Sequence, residues 1–211
     1  MNFHNNLFKN LFSEQHVNSF MTTKQTAFKS LISTISKTHF LVRCKQTHSN
    51  HVAVIDHISQ KKTVVIPDTD ALITNQRNTF LSIKAADCMP ILVHHERGWI
   101  AAIHAGRDGT KKKILEKTLN TLCQLVQDNS GFSVWFGPCL CKQCHEIDST
   151  HHIHFDLIEE NKRQLDSILS NQHNRLSIEN MCTACNSNHH FYSYRRDNFT
   201  NKRNYIFISL K

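Results

Sequence analysis

Two short apolar runs joined by a polar turn constrain this chain more than any other feature. Ala85-Ala86-Asp87-Cys88-Met89-Pro90-Ile91-Leu92-Val93 and Trp99-Ile100-Ala101-Ala102-Ile103-His104-Ala105-Gly106 are each bounded by turn residues and read as two buried strands of a hairpin. The first carries a thiol at its start and the second delivers an imidazole at its end. In an antiparallel pair the start of one strand lies beside the end of the other, so Cys88 and His104 come within reach of one metal ion. A third ligand is available in Gln46-Thr47-His48, where the period-two segment Phe40-Leu41-Val42-Arg43-Cys44 ends in a polar turn. Zinc accepts His nitrogen and Cys thiolate, and three protein ligands leave a fourth position open for water or substrate. Lone Cys and His residues in apolar strands are more often packing residues, so spacing alone leaves both readings standing.

The length, 211 residues with 39% hydrophobic, fits one domain with a sizeable core. No run approaches the ~20 apolar residues of a membrane span, and the N-terminus lacks the basic-then-apolar order of a signal peptide, so a cytoplasmic protein with no membrane partner is expected. Eight cysteines scattered among sixteen histidines then read as reduced thiols or metal ligands rather than a disulfide framework. The net charge of +8 is dispersed apart from Lys111-Lys112-Lys113, a pattern that suits anionic substrates better than nucleic acid.

Residues 1–37 form a poorly specified N-terminal segment. The stripes Leu7, Phe8, Leu11, Phe12 and Phe28, Leu31, Ile32, Ile35 predict two helices there. Strands follow at Phe40 to Cys44, His51 to Ile55, Lys62 to Ile66, Ala71 to Thr74 and Thr79 to Ile83, before the central hairpin. Ile114, Leu115, Thr118, Leu119, Leu122 and Val126 recur at helical spacing, with Lys111 to Lys113 on the first turn. The start of that helix, entered through Gly106 and Gly109, reads as an anion site. A strand from Gly131 to Phe136, a helix from Phe155 to Leu169 and a strand from Tyr205 to Leu210 complete the chain.

Cys139-Leu140-Cys141-Lys142-Gln143-Cys144 and Cys182-Thr183-Ala184-Cys185 together offer enough thiolate for a closed structural zinc site. Asp87 reads either as the buried partner of a backbone amide or as a group that orients a zinc-bound His. Arg195 and Arg196 are adjacent, so in a strand one of them at most faces a site. Arginine there suits phosphate or carboxylate, and an ion pair with Asp197 is the competing reading. Glu146 reads as a surface residue beside a turn rather than an acid/base group.

Thr69-Asp70-Ala71-Leu72-Ile73-Thr74, Ala86-Asp87-Cys88-Met89-Pro90, Ala102-Ile103-His104-Ala105-Gly106, Trp135-Phe136-Gly137-Pro138 and Phe191-Tyr192-Ser193-Tyr194-Arg195-Arg196-Asp197 occur in the order and near spacing of the YfiH-type, or laccase-domain, family, which this chain resembles from about Phe40 onward. The resemblance implies a mixed α/β (α+β) fold, a layered sandwich of β-sheets with outer helices, and makes residues 38–211 the catalytic domain. It implies a zinc-dependent purine nucleoside enzyme, acting by phosphorolysis of adenosine, inosine or methylthioadenosine and by deamination of adenosine. His48, Cys88 and His104 would then be the catalytic metal ligands, with Arg43, Gln46, Arg195 and Arg196 on the substrate side and purine nucleosides and inorganic phosphate as partners. Family members carry paired cysteines at both later positions without needing a second metal, which leaves a second metal at Cys139, Cys141, Cys144, Cys182 and Cys185 open. Where relatives continue His-Ala-Gly with Trp-Arg-Gly, this chain has Arg107-Asp108-Gly109, which alters base stacking or phosphate binding there. They also open with a strand and a Gly-Gly turn that are not legible in this sequence. Two alternatives accompany this reading. One is copper-dependent oxidation of phenols, since copper also takes two His and one Cys. The other is a zinc-ribbon binding module built on the later cysteines. A monomer or a homodimer is expected.

Overall fold

The computed structural model describes residues 7–9, 12, 16–57, 62–170 and 172–211. Its centre is the expected hairpin. Strands β8 (Met89–His95) and β9 (Trp99–Ala105) pair antiparallel, with Met89 opposite Ala105 and Pro90 opposite His104. Both are buried along nearly their whole length, and mostly apolar, because both faces of the sheet are covered. Ile91, Val93, Ala101 and Ile103 point to one side, into a core shared with helices. Leu92, Ile100 and Ala102 point to the other, into a core shared with a second sheet.

The sheet containing this hairpin also takes in β4 (Val52–Ile55), β6 (Ala71–Thr74), β10 (Phe132–Phe136) and β13 (Arg175–Ile178), in the order β13-β10-β8-β9-β6-β4. The other sheet runs β1-β2-β14-β7-β3-β5, from β1 (Leu7–Lys9), β2 (Val17–Thr22), β3 (Phe40–Cys44), β5 (Thr63–Ile66), β7 (Thr79–Ala85) and β14 (Asn204–Leu210). Both sheets are mixed, with parallel pairs at β4·β6, β10·β13, β3·β5 and β3·β7. Leu81, Ile83, Ile206 and Ile208 of one meet Leu72, Leu92 and Trp135 of the other. On the outside, α1 (Phe28–Thr38) packs Leu31 and Ile35 on Phe80 and Phe207. Helices α3 (Ile114–Val126) and α4 (Leu157–Ile168) cover the opposite sheet with Leu115, Leu119, Leu122 and Leu165. Each fully buried leucine contributes about 1.5 to 3 kcal/mol of burial, so this four-layered packing is what holds the hairpin ends in place. The mixed α/β sandwich with outer helices is the architecture expected.

Three details differ from the sequence expectation. Leu7 and Phe8 belong to strand β1 and Phe12 is buried between the sheets, while Leu11 lies outside the described residues. The first of the two N-terminal helices is therefore a correction: β2 pairs with β14 from Met21 opposite Ile206 to Val17 opposite Leu210. An open sheet edge with unpaired backbone groups outweighs a weak helical stripe. The second predicted helix is α1. The helix after His104 is also split. Arg107–Lys111 form a separate short helix, α2, and Lys113 breaks the path with φ of 62° before α3 begins. The break follows from docking: Asn161 Nδ2 donates to Thr110 Oγ1 at 3.0 Å and Gln164 Nε2 to the Thr110 carbonyl at 2.8 Å, which ties α2 to α4. Finally, β11 (Glu146–Asp148), β12 (Ile153–His154) and β13 were not anticipated. No helix among the described residues is long and apolar enough to cross a membrane.

Candidate metal centre

The site is assembled on Asp70, which sits just before β6 and is completely buried. Its Oδ2 accepts from the amides of Thr47 (3.1 Å) and Ser49 (2.8 Å) and from Ser49 Oγ (2.8 Å). Its Oδ1 accepts from the His48 amide (3.1 Å) and stands 2.8 Å from His104 Nδ1. One carboxylate thus shapes the turn that carries His48 and aims the ring of His104, whose Nε2 is left facing inward. The sheet enforces the same arrangement, because the His104 amide donates to the Asp70 carbonyl at 2.8 Å. His48 adopts φ of 58°, a left-handed conformation that the amide bonds to Asp70 stabilise.

Cys88 completes the group from the opposite side. Its Sγ lies 3.7 Å from His48 Nε2, and the ligand atoms of His48, Cys88 and His104 all fall within 4.8 Å of one another. Zinc with bonds of about 2.0 to 2.3 Å in tetrahedral geometry separates a nitrogen from a sulfur ligand by ~3.6 Å, so the donor set and its spacing fit that ion. Gly106 closes the cradle: a Cβ there would stand 2.9 Å from Cys88 Sγ and 2.9 Å from His48 Cδ2. His48 is exposed, Cys88 half-buried and His104 buried, which leaves one side open to solvent.

The electrostatics match this geometry. Burial by itself raises the Cys88 thiol, but the charge and hydrogen bond of His104, with those of His48, outweigh it and bring it down to about 6. Burial pulls His104 down, while the Cys88 charge and the Asp70 hydrogen bond lift it to about 9. Burial likewise raises the Asp70 carboxyl, yet His104 and Ser49 hold it well below the usual carboxylate range. The pair thus favours thiolate on Cys88 and imidazolium on His104; the thiolate is the form that binds a metal, and His104 gives up its Nε2 proton when it ligates.

A cleft of about 640 Å³ opens over the triad. Lys84, Arg107, Arg195 and Arg203 line it, together with His145 and the exposed rings of Tyr194 and Phe199. Those two rings meet edge to face at 5.1 Å, and the Arg203 guanidinium lies 5.6 Å from the Tyr194 centroid. Of the substrate-side residues expected from the sequence, Arg195 and Gln46 reach the cleft. Gln46 is a clamp, donating to the Lys84 carbonyl at 2.7 Å and accepting from its amide at 2.9 Å. Arg43 instead lies against Phe28 and Tyr205, away from the cleft. The Arg195-Arg196 segment is a run of turns rather than a strand, and Arg196 is engaged elsewhere: it pairs with Asp197 and donates to the carbonyls of Thr183 and Phe191. Asp87 proves to be the backbone partner, accepting from the Arg195 amide at 2.7 Å and from Thr183 Oγ1 at 2.6 Å. The Glu146 carbonyl accepts from Arg195 at 2.9 Å. The helix start read as an anion site from the sequence is a separate element, α2. The element there has five residues and carries Asp108 in its first turn, paired with Arg107.

The group that orients His104 is Asp70, a residue sequence reasoning had quoted without assigning it a role. The signal was present in the register: Ala71 opposite Ile103 puts Asp70 beside His104. A family model described as multi-copper polyphenol oxidoreductase laccase matches residues 13–211. The chain belongs to this family, the YfiH-type laccase-domain proteins. YlmD from Geobacillus stearothermophilus shares the fold, with a TM-score of 0.79 over 93% of each chain at 20% identity. In sequence the chain is 31% identical over 168 residues to a purine nucleoside phosphorylase of Campylobacter jejuni, covering 74% of this chain and 72% of that protein. It is 32% identical over 113 residues to the adenosine deaminase RL5 of an unknown prokaryotic organism, covering 51% and 43%.

Proposed function

We propose that this laccase-domain protein is a zinc-dependent purine nucleoside enzyme, performing phosphorolysis of adenosine, inosine or methylthioadenosine and deamination of adenosine. The observation that carries the reading is the juxtaposition of an open His-Cys-His triad with a cleft lined by four cationic side chains and two exposed aromatic rings. The names of the relatives support it. His48, Cys88 and His104 are the metal ligands. When bound, zinc supplies Lewis acidity and lowers the pKa of water to about 7.

The chain's own residues do the rest. Tyr194 and Phe199 offer a purine a flat apolar surface at the cleft mouth, taking the place of the tryptophan absent beside Gly106. Arg195 and Lys84 provide donors for a phosphate dianion, with Arg203 neutralising its charge. In phosphorolysis a phosphate oxygen bonds to ribose C1′ as the C1′–N9 bond breaks and its electron pair departs with the base. In deamination water's oxygen replaces the C6 amino group, which leaves as ammonia. Asp70 fixes the tautomer of His104 throughout, keeping the Nδ1 proton directed away from the reacting atoms. Oxidation of phenols by a multi-copper array needs several histidine clusters, and among the described residues this triad is the one such group containing histidine.

The test is incubation of metal-defined protein with adenosine, with and without phosphate, separating ribose-1-phosphate, adenine and inosine by chromatography. Arg195→Ala is expected to weaken phosphate-dependent cleavage by ~1.5 to 3 kcal/mol, roughly tenfold to a hundredfold, and to affect inosine formation less. Absence of all three products at full zinc loading overturns the reading.

A further inference from the structure

A second set of side chains lies behind the wall of the cleft. Cys141 precedes and Cys144 ends the 3-10 turn Lys142–Cys144, and Cys182 precedes and Cys185 ends the turn after it. The two pairs are 38 residues apart at the nearest, from Cys144 to Cys182, yet all four sulfurs lie within 4.8 Å of one another, with Cys141 Sγ and Cys185 Sγ at 3.9 Å. Four sulfurs around zinc at about 2.3 Å occupy a tetrahedron with edges of ~3.8 Å. The backbone is arranged as in metal-binding knuckles. The amide of Cys185 points at Cys182 Sγ (3.5 Å) from three residues away, and the amide of Cys141 reaches the same sulfur at 3.3 Å from the other turn. Each of the four is a free thiol, and the set converges as a group rather than in two pairs. Cys139, one of the cysteines considered with them in the sequence, is buried and outside this group, with its sulfur directed at the Leu140 carbonyl.

We infer that Cys141, Cys144, Cys182 and Cys185 form a closed structural zinc site that staples the cleft wall. Its four protein ligands leave no position for substrate, which separates it in kind from the His48-Cys88-His104 triad. The stapled turns are those that shape the cleft. The Thr183 amide donates to the Cys139 carbonyl at 2.9 Å, Thr183 Oγ1 holds Asp87, and the Leu140 amide donates to the Asp87 carbonyl at 3.0 Å. Asp87 in turn positions Cys88, its neighbour, and the Arg195 backbone. A metal that locks the two turns together thus restrains both the thiolate ligand and the phosphate-side arginine, without contacting either.

Full-length protein purified with zinc present, in a background of His48→Ala, Cys88→Ala and His104→Ala, tests this by elemental analysis. One zinc per chain is expected to remain after gel filtration, and adding Cys144→Ser and Cys185→Ser should remove it. Peptide mapping after alkylation of the native wild-type chain is the second measurement, and it does not depend on a variant folding. Cys141, Cys144, Cys182 and Cys185 should resist alkylation until a strong chelator is added, while Cys88 serves as the separate report on the open triad. No zinc in the triple variant, or alkylation of the four thiols at the same rate with and without chelator, overturns the inference. Absence of nucleoside turnover by the wild-type chain with the four-cysteine zinc intact would instead count against the proposed function alone.

Discussion

Replacing Asp70 by Asn separates orientation of the proposed metal ligands from their identity. The carboxylate accepts six hydrogen bonds, four at Oδ2 and two at Oδ1, and donates none. Asparagine is nearly isosteric but presents one acceptor oxygen and one NH2. If the oxygen stays on the Thr47-Ser49 side, the NH2 confronts the His48 amide and His104 Nδ1. The ring of His104 can respond by accepting at Nδ1, which moves its proton to Nε2, the nitrogen that would bind metal. A hydrogen bond to a charged group contributes about 1.5 to 3 kcal/mol, and removing the partner of a ligating His costs ~10- to 100-fold in metal affinity. The expected result is zinc affinity lowered by ~10- to 100-fold, measured by chelator competition, together with loss of nucleoside turnover at limiting zinc. Asp87→Asn is the control: Asp87 holds Thr183 and Arg195 rather than a ligand ring, so it should disturb turnover more than zinc affinity. Zinc binding by the Asp70→Asn variant within about twofold of wild type would refute the assignment of this carboxylate to the tautomer of His104.

Gly106→Ala inserts a methyl into a space bounded at 2.9 Å by both Cys88 Sγ and His48 Cδ2. Displacement by a fraction of an ångström should lower turnover by up to ~10²-fold while the melting temperature changes little, to be read by steady-state assay beside calorimetry. Arg196→Ala strips donors from two carbonyls and leaves Asp197 with Lys24 and the Ser193 amide. It should cost ~2 to 4 kcal/mol in denaturant unfolding yet keep the ratio of phosphorolysis to deamination, in contrast to Arg195→Ala. The Asp197 carboxyl is held well below the usual carboxylate range by its hydrogen bonds to Arg196, with burial opposing. Because its folded value is depressed, its contribution is fully present above an unfolded pKa of about 3.9 and is lost as pH falls toward the folded value. Melting temperatures of wild type should therefore drop more steeply below pH ~4 than those of Asp197→Asn, and parallel curves would refute the linkage.

Features whose physics is local were legible in the amino-acid order. The hairpin of β8 and β9 was legible because two short apolar runs buried on both faces have few other ways to satisfy their backbones, and its antiparallel register alone carries Cys88 to His104. The amphipathic spacing of α3 and α4 was equally plain, as each presents one apolar face to a sheet. The other features depend on packing between distant segments. Asp70 became the organiser of the centre through the pairing of β6 with β9, and Val17–Thr22 became a strand because β14 offered an edge. Lys113 broke a helix that its sequence would continue, because Thr110 is tied to α4. Arg195 and Arg196 carry the same side chain, and only the turn that binds the Arg195 amide to Asp87 distinguishes the one in the cleft from the one in the wall. The four thiols of Cys141, Cys144, Cys182 and Cys185 converge from turns 38 residues apart through the bridge between Cys139 and Cys182. Periodicity reports which face of an element is buried, whereas the partner that covers it comes from distant segments, and the orientation of every polar group in this centre depends on that partner.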